Sequence, residues 1–428
     1  MIHSTQGQPA SAGQSKTYGG ALAIVTTVFF MWGFVTVLND ILVPHLKAIF
    51  ALNYTEIMFI QFTFFSAYFI FSMPAAKIIS KLGYQNSIVL GLGVMGLGAL
   101  VFLPAASLPS YGVFLTALYI LATGMTILQV AANPYVADLG PPEKASSRLN
   151  LAQAFNSLGT TVGPYIGGIL ILSAAHGNVN PKNRIIEAST VKLPYLGIAI
   201  LLFLLAFAIS RFHLPVITAI DEAATHEAAH DSIWHYAHLI LGAVGIFVYV
   251  GAEVSIGSFL VSYFTQKDIG GLTQRDASGY LSFYWGGAMV GRFIGSALLQ
   301  KLNSGIVLGC AAIAACTLVV TSMLTTGHVA MWAIILVGLF NSVMFPTIFT
   351  LGIDGLGKVT GKGSGLLVMA IVGGAILPVI QGMLADTIGI HRGFFLPALC
   401  YLYILFYGFR GSRHKPTPAQ MAEQAAVS

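Results

Sequence analysis

The chain has 428 residues; 56% are hydrophobic and only 8% are Asp, Glu, Lys or Arg, with a net charge of +5. A soluble globular chain carries roughly 25% charged residues, and disorder needs a far less apolar composition. Soluble enzyme, nucleic-acid binder and secreted disulfide scaffold are therefore poor readings. A polytopic membrane protein remains, and at about 20 residues per crossing of ~30 Å of hydrocarbon there is room for about twelve helices.

Apolar runs between short polar breaks predict spans at 20–47, 57–79, 86–105, 112–138, 149–175, 193–212, 235–265, 277–299, 305–325, 329–352, 363–388 and 393–409. They fall as six, a polar stretch, and six. The expected organisation is an all-α membrane protein with twelve transmembrane helices in two pseudo-symmetric six-helix bundles. Residues 1–19 form an N-terminal tail, 20–212 the first bundle, 213–233 a linker, 234–410 the second bundle and 411–428 a C-terminal tail. The first run, from Gly19 to Pro44, lacks a clear signal-peptidase exit and reads as a span. Cys310, Cys316 and Cys400 sit in apolar stretches and read as inert core thiols rather than a disulfide framework.

Basic residues set the orientation. With both termini inside, twelve lie on the cytoplasmic side, among them Lys77, Lys81, Lys144, Arg148, Lys301 and Lys358, against seven outside. Arg292 is the one basic residue left within a span. The bacterial inner membrane, with both termini cytoplasmic, is the expected location.

A repeat shows at an offset near 213. Asp40 aligns with Glu253 (213 apart), Pro134 with Pro346 (212) and Pro164 with Pro378 (214), all in register with the six-plus-six division. Two parallel six-helix halves are the organisation of the major facilitator superfamily, with a substrate site near the midplane between them.

A carboxylate at the bilayer centre costs about 2.5 to 3.5 kcal/mol on insertion scales, so it needs a reason. Asp40 and Glu253, one per half, are the candidates for binding the driving cation. Amides form a second set. Asn150, Gln153 and Asn156 recur every third residue and share a stripe of span 5, while Gln129 and Asn133 share a face of span 4. Gln61 and Tyr68 follow helical rows in span 2; Asn341 and Gln381 lie in spans 10 and 11. Such faces suit a neutral polyhydroxylated ligand: amides pair with hydroxyls, and aromatic rings such as Tyr68 and Trp285 cover the C–H face of a sugar. Interhelical polar glue is the competing reading of each amide.

Glycine rows at 159, 163, 167 and at 287, 291, 295 allow close helix approach. Spans 5 and 8 belong to different halves, so the rows are read either as a sliding contact between halves or as packing within each.

Two motifs are decoys. His226-Glu227-Ala228-Ala229-His230 fits a zinc-protease pattern, yet it lies in a short linker with no third ligand and no surrounding domain. Gly91-Leu92-Gly93-Val94-Met95-Gly96 fits a dinucleotide pattern, yet no strand precedes it. No Walker A run is present, which argues against ATP-driven transport.

The string from Trp32-Gly33 through Leu38-Asn39-Asp40-Ile41-Leu42-Val43-Pro44 opens a set of four. The others are Ala131-Ala132-Asn133-Pro134-Tyr135, Arg148 through Ser157, and Phe345-Pro346-Thr347-Ile348-Phe349. Together they resemble the fucose–galactose–glucose symporters, a branch of the major facilitator superfamily, from about residue 20 to 410, and most of all its bacterial glucose/galactose members. The resemblance implies that Asp40 is a proton- or ion-linked carboxylate and that Asn156, with Gln153 and Asn150, faces sugar. It also marks a departure: where the fucose permeases carry a Glu in span 4, this chain has Gln129, and where they carry an amide in span 7, it has Glu253. The charged loop between spans 2 and 3 keeps Lys77, Lys81 and Gly83 without an Asp-Arg pair.

The expected function is symport of neutral hexoses, glucose and galactose first, with Na+ or H+ by alternating access. An uncoupled facilitator and a fucose-type H+ symporter are the alternatives, and a zinc hydrolase at His226 and His230 is the reading from another class. No enzyme activity, metal or organic cofactor is expected. The partners are a small sugar and the lipid bilayer, with no nucleic acid, and the chain is expected to be a monomer.

Overall fold

The computed structural model describes residues 12–50, 54–107, 110–167, 184–212, 214–215 and 232–413. The motif at 226–230 and most of the linker expected at 213–233 lie outside them.

The first half holds α1 (Ala12–Phe50), α2 (Tyr54–Ser107), α3 (Tyr111–Asp138), α4 (Ala145–Gly167), the short α5 (Arg184–Ser189) and α6 (Lys192–Arg211). The second holds α7 (Ala237–Phe264), α8 (Gln274–Leu298), α9 (Ser304–Leu324), α10 (Gly327–Asn341), α11 (Met344–Ile353), α12 (Thr360–Met369), α13 (Gly373–Ile388), α14 (Ile390–Gly393) and α15 (Phe395–Phe406). Among the described residues, nine segments are long and apolar enough to cross a membrane. One of them, Ile60–Ser107, turns at Gly83 (φ 75°, ψ 174°), a left-handed conformation that favours glycine, and so supplies both the second and third spans. The amide-bearing α4 and the Gly-rich α8, less apolar than the rest, complete the expected twelve.

Spans 4, 6, 7 and 9 match their predicted limits within two residues. Spans 10 and 11 do not run unbroken. Span 10 stops at Asn341 and restarts at Met344. Pro346 has no N–H to give the Ser342 carbonyl, and its ring crowds that carbonyl, so the helix breaks one turn ahead of it. Span 11 passes through a 3-10 turn at Ala370–Val372 just before Gly373 and Gly374. A glycine pair is a common seat of a bend. Here it also admits neighbours: a Cβ on Gly374 would meet the Phe65 ring at 2.9 Å, and one on Gly373 would meet the Phe247 carbonyl.

The glycine rows pack mainly within their own halves, and among the described residues only Gly295 also nears the other half, with an added Cβ 3.7 Å from Asn150 Oδ1. Gly159 and Gly163 abut Phe30, Phe34 and Val37 of α1, while Gly287, Gly291 and Gly295 abut Leu339, Ser342 and Val343 at the break between α10 and α11. The side chain at 167 lies outside the described residues. Helices α4 and α8 do meet across the halves, chiefly through Arg292 with Ser157 and Gln153 and through Phe293 with Phe155.

The contacts between halves gather toward one end, the one with the turns at Gly83, Gly140 and Gly355. There the Ser146 and Thr350 hydroxyls lie 2.6 Å apart, Ser147 donates to the Ser296 carbonyl (2.7 Å), and Asn150 donates to the Thr347 hydroxyl (3.4 Å). Gly365 of α12 lies against Ala76 and the Ser72 carbonyl of α2, each 3.0 Å from the position of an added Cβ. Further along, Phe155 meets Phe293 edge-on and Thr161 reaches the Met289 sulfur at 3.5 Å. The turn between α3 and α4 is held by Arg148, whose guanidinium donates to the carbonyls of Val136 (3.2 Å), Ala137, Gly140 (3.2 Å) and Pro141 (2.9 Å). The Val136 and Ala137 carbonyls are in the last turn of α3, where a helix end leaves carbonyls without helical partners.

Candidate functional site

Two prolines release carbonyls inside spans, and both carbonyls are used. Pro134 leaves Val130 without its helical donor, and Ser364 of the other half donates to that oxygen at 2.8 Å. Pro346 leaves Ser342 in the same state, and Arg292 Nε donates to it at 3.4 Å. The repeat-related prolines thus do more than bend helices: they open acceptors where α12 docks on α3 and where α8 docks on the α10–α11 break.

In the first half, Gln129 donates its amide to the Tyr68 hydroxyl at 2.6 Å, with both residues buried. Sequence placed these two in separate spans, and the structure brings them together. Asn133, one turn beyond, is fully buried, and neither amide atom has a protein partner. On α4, Gln153 Nε2 and Asn150 Oδ1 are likewise buried without protein partners. Asn150 Nδ2 donates to the Ser146 carbonyl (2.9 Å) as well as to Thr347. Asn156 donates to the Phe29 carbonyl at 3.0 Å, and its backbone carbonyl packs on Gly33. The reading of Asn156 as sugar-facing therefore shares the residue with a role in joining α4 to α1.

In the second half, Glu253 accepts a hydrogen bond from Tyr249 one turn earlier, at 2.7 Å. The same hydroxyl lies 3.0 Å from the Asn341 carbonyl. A phenol has one proton, so Tyr249 donates to one of these oxygens at a time. Asn341 Nδ2 donates to the Tyr284 hydroxyl at 2.9 Å, and its Oδ1 has no protein partner. Tyr284 and Tyr401 are fully buried in the same half. Gln381 is fully buried beside Gly393, with neither amide atom partnered in the protein.

Two candidates stand apart. Gln61 is exposed, and Trp285 is 43% exposed with its ring against Tyr284 and Gly257. The side chain of Asp40 lies outside the described residues, although its backbone belongs to α1.

Sequence reasoning gave Arg292 no role beyond noting its place in a span. Its guanidinium donates to Ser157 Oγ and to the Gln153 carbonyl (3.4 Å) in the first half, and to the Ser342 carbonyl (3.4 Å) in the second. The Ser342 carbonyl it reaches directly follows the Asn341 carbonyl that lies 3.0 Å from the Tyr249 hydroxyl. A lone arginine inside a span was signal enough to single it out. Tyr249 was legible too, at one helical turn from Glu253.

Among the described residues, no group of three or more His, Cys, Asp or Glu side chains could hold a metal ion. A cleft of about 860 Å³ opens at the closed end, lined by residues such as Asp138, Glu143, Lys144, Lys301, Thr350 and Asp354. None of the candidate sugar residues lines it.

A model of the Major Facilitator Superfamily matches residues 22–371. The chain is 54% identical over 399 residues to a glucose/galactose transporter of Brucella abortus biovar 1 (strain 9-941), covering 93% of this chain and 95% of the relative. It is 34% identical over 412 residues to the L-fucose-proton symporter of Escherichia coli (strain K12), covering 92% and 94%. The crystal structure of the transporter FucP in the outward conformation superposes with a TM-score of 0.86 at 32% identity, over 93% of this chain and all of that one. By the family model over most of its length and a relative 54% identical across 93% of it, the chain belongs to the Major Facilitator Superfamily.

Proposed function

We propose that this chain is a symporter that imports neutral hexoses, glucose and galactose foremost, driven by a proton or sodium ion through alternating access. The observation that carries the reading is the set of buried amide atoms on α3 and α4 without protein partners: both atoms of Asn133, Gln153 Nε2 and Asn150 Oδ1. A buried donor or acceptor left unpaired costs about 1–3 kcal/mol. Sugar hydroxyls, which donate and accept, offset that cost, and Gln129 with Tyr68 extends the same surface. No charged side chain is among these groups, which suits a neutral ligand. The names of the 54% and 34% identical relatives support a sugar as substrate.

Glu253 and Asp40 serve the driving cation. At Glu253 the Tyr249 hydroxyl, with a second acceptor at Asn341, favours a proton: a protonated carboxyl donates to Tyr249 while Tyr249 turns to the Asn341 carbonyl. The excess of basic residues supports a cytoplasmic closed end with both termini inside; a bacterial inner-membrane location and a monomeric state complete the proposal.

The test is uptake by the purified protein in proteoliposomes. Labelled glucose, galactose and fucose are each offered with an imposed proton gradient or sodium gradient. Concentration of glucose and galactose under one gradient is expected. Equilibration without concentration under both would make the protein a facilitator.

A further inference from the structure

Helices α7 and α13 of the second half pack as a ladder. A Cβ added to Gly373 would strike the Phe247 carbonyl, and one added to Gly251 would strike the Leu377 side chain. The two residues of each rung are 126 positions apart, and the rungs rise along both helices together, so the helices run parallel. One turn further on, the same spacing sets Ser255 opposite Gln381. Beyond that rung, the Phe259 ring lies 3.7 Å from the position of a Cβ on Gly382. A polar rung is thus bounded on both sides by apolar contacts.

Ser255 and Gln381 have no exposed surface, yet Ser255 Oγ, Gln381 Oε1 and Gln381 Nε2 all lack a protein partner. Turning the amide over leaves both its ends unpaired just the same. A helical serine can return its hydroxyl to the carbonyl four residues back. Ser72, Ser87 and Ser107 do so, and Ser255 does not. On the third side, Gln381 Nε2 lies 3.3 Å from the position of a Cβ on Gly393 of α14, where glycine leaves the amide its room.

We propose that Ser255 and Gln381 hold a buried water molecule that bridges α7 and α13. A buried water takes two to four hydrogen bonds, and this rung offers three atoms of the right kinds. Nε2 donates to the water, Oε1 accepts from it, and the serine hydroxyl does either. A cation suits the site less well, because it would face the N–H groups of Nε2 and find no carboxylate among these atoms. A sugar ring needs more room than a seam closed on both sides. Gln381, a candidate sugar contact by its sequence, is instead a ligand of this water. Ser255 lies two positions past Glu253 and nearly opposite it around α7, so the site is separate from the acid. The inference does not rest on the transport reading.

The test uses the full chain in detergent, unmutated and as Ser255→Ala, Gln381→Leu and the double variant. X-ray radiolysis turns a bound water into hydroxyl radical, which oxidises the nearest side chain even where bulk solvent is excluded. Leu377, 8% exposed, is expected to be oxidised in the unmutated protein and to lose that labelling in the double variant. Each single change should lower the melting temperature by about 2 °C or more. The double variant should melt no lower than the worse single one, because removing every partner leaves no buried polar atom unpaired. Glucose and galactose binding to Gln381→Leu should stay within about twofold. Leu377 left unoxidised in the unmutated protein, melting effects that add, or a loss of sugar affinity of about tenfold in Gln381→Leu would each overturn the proposal. Should Gln381→Leu fail to insert, oxidation of Leu377 in the unmutated protein decides alone. A protein that binds neither sugar would sink the transport reading and leave the water site to the melting and oxidation results.

Discussion

The hydrogen bond from Ser364 to the Val130 carbonyl joins the halves at the closed end, and its strength follows from the proline that created it. Pro134 removes the backbone donor that Val130 would meet in a regular α-helix. Ser364 supplies the replacement at 2.8 Å, and its own side chain is fully buried. Ser364→Ala leaves a buried carbonyl unpaired, at a cost of about 1–3 kcal/mol. The cost falls on the closed form alone, because opening admits water to the carbonyl. The ratio of closed to open molecules should therefore fall by roughly 5- to 150-fold. Pro134→Ala restores an N–H to Val130 from within α3. In that background the same Ser364→Ala change should be nearly neutral, moving the ratio by about twofold or less. Alkylation of a cysteine introduced by Ser146→Cys, with the native cysteines replaced, reads the ratio in all four proteins. Labelling that is unchanged in Ser364→Ala, or raised equally with and without Pro134, would refute the reasoning.

Four further outcomes follow from the same geometry. The Ser147 and Ser296 hydroxyls lie 3.4 Å apart, so Ser147→Cys with Ser296→Cys should close a disulfide of about 2.05 Å; transport should stop on oxidation and return on reduction, and transport by the oxidised, fully cross-linked protein would deny that this end opens. Glu253→Gln should abolish concentration of sugar while sugar–sugar exchange continues, which counterflow in proteoliposomes measures; full accumulation would remove Glu253 from coupling. Asp40→Asn should likewise lose gradient-driven accumulation with exchange partly retained, and wild-type accumulation would remove Asp40 from the mechanism. Gly33 faces the Asn156 carbonyl so closely that any Cβ collides with it, so Gly33→Val should destabilise the first half by about 1–3 kcal/mol, read as a lowered melting temperature in detergent.

The fold was legible because the bilayer enforces a simple code: long apolar runs, polar breaks and basic loops. What the runs did not reveal was where a helix breaks inside a run. Pro346 announced a disturbance in span 10, but that Arg292 takes the freed Ser342 carbonyl needed the packing of α8 on the break. The glycine rows were equally plain in the sequence, yet their partners were not, since a row fixes the closeness of an approach and says nothing of which helix approaches. The carboxylate Glu253 stood out by its cost in lipid, and Arg292 by the same argument, but that Arg292 reaches Gln153 and Ser157 of the other half needed the packing of α8 on α4. Gln129 and Tyr68 were each singled out for polarity or shape; that they bond to one another needed the packing of α2 on α3. Asn156 shows the limit of reading a stripe. Its spacing with Asn150 and Gln153 holds, but its amide is given to the Phe29 carbonyl.

Coupling is a reciprocal quantity: if a cation gradient drives sugar uphill, a sugar gradient must drive the cation uphill. Proteoliposomes loaded with a pH- or sodium-sensitive dye, with no cation gradient imposed, therefore give the most direct measurement. Adding glucose or galactose outside should carry protons or sodium inward, and Glu253→Gln should abolish that flux. Sugar entry at the normal rate with no movement of either cation would contradict the account.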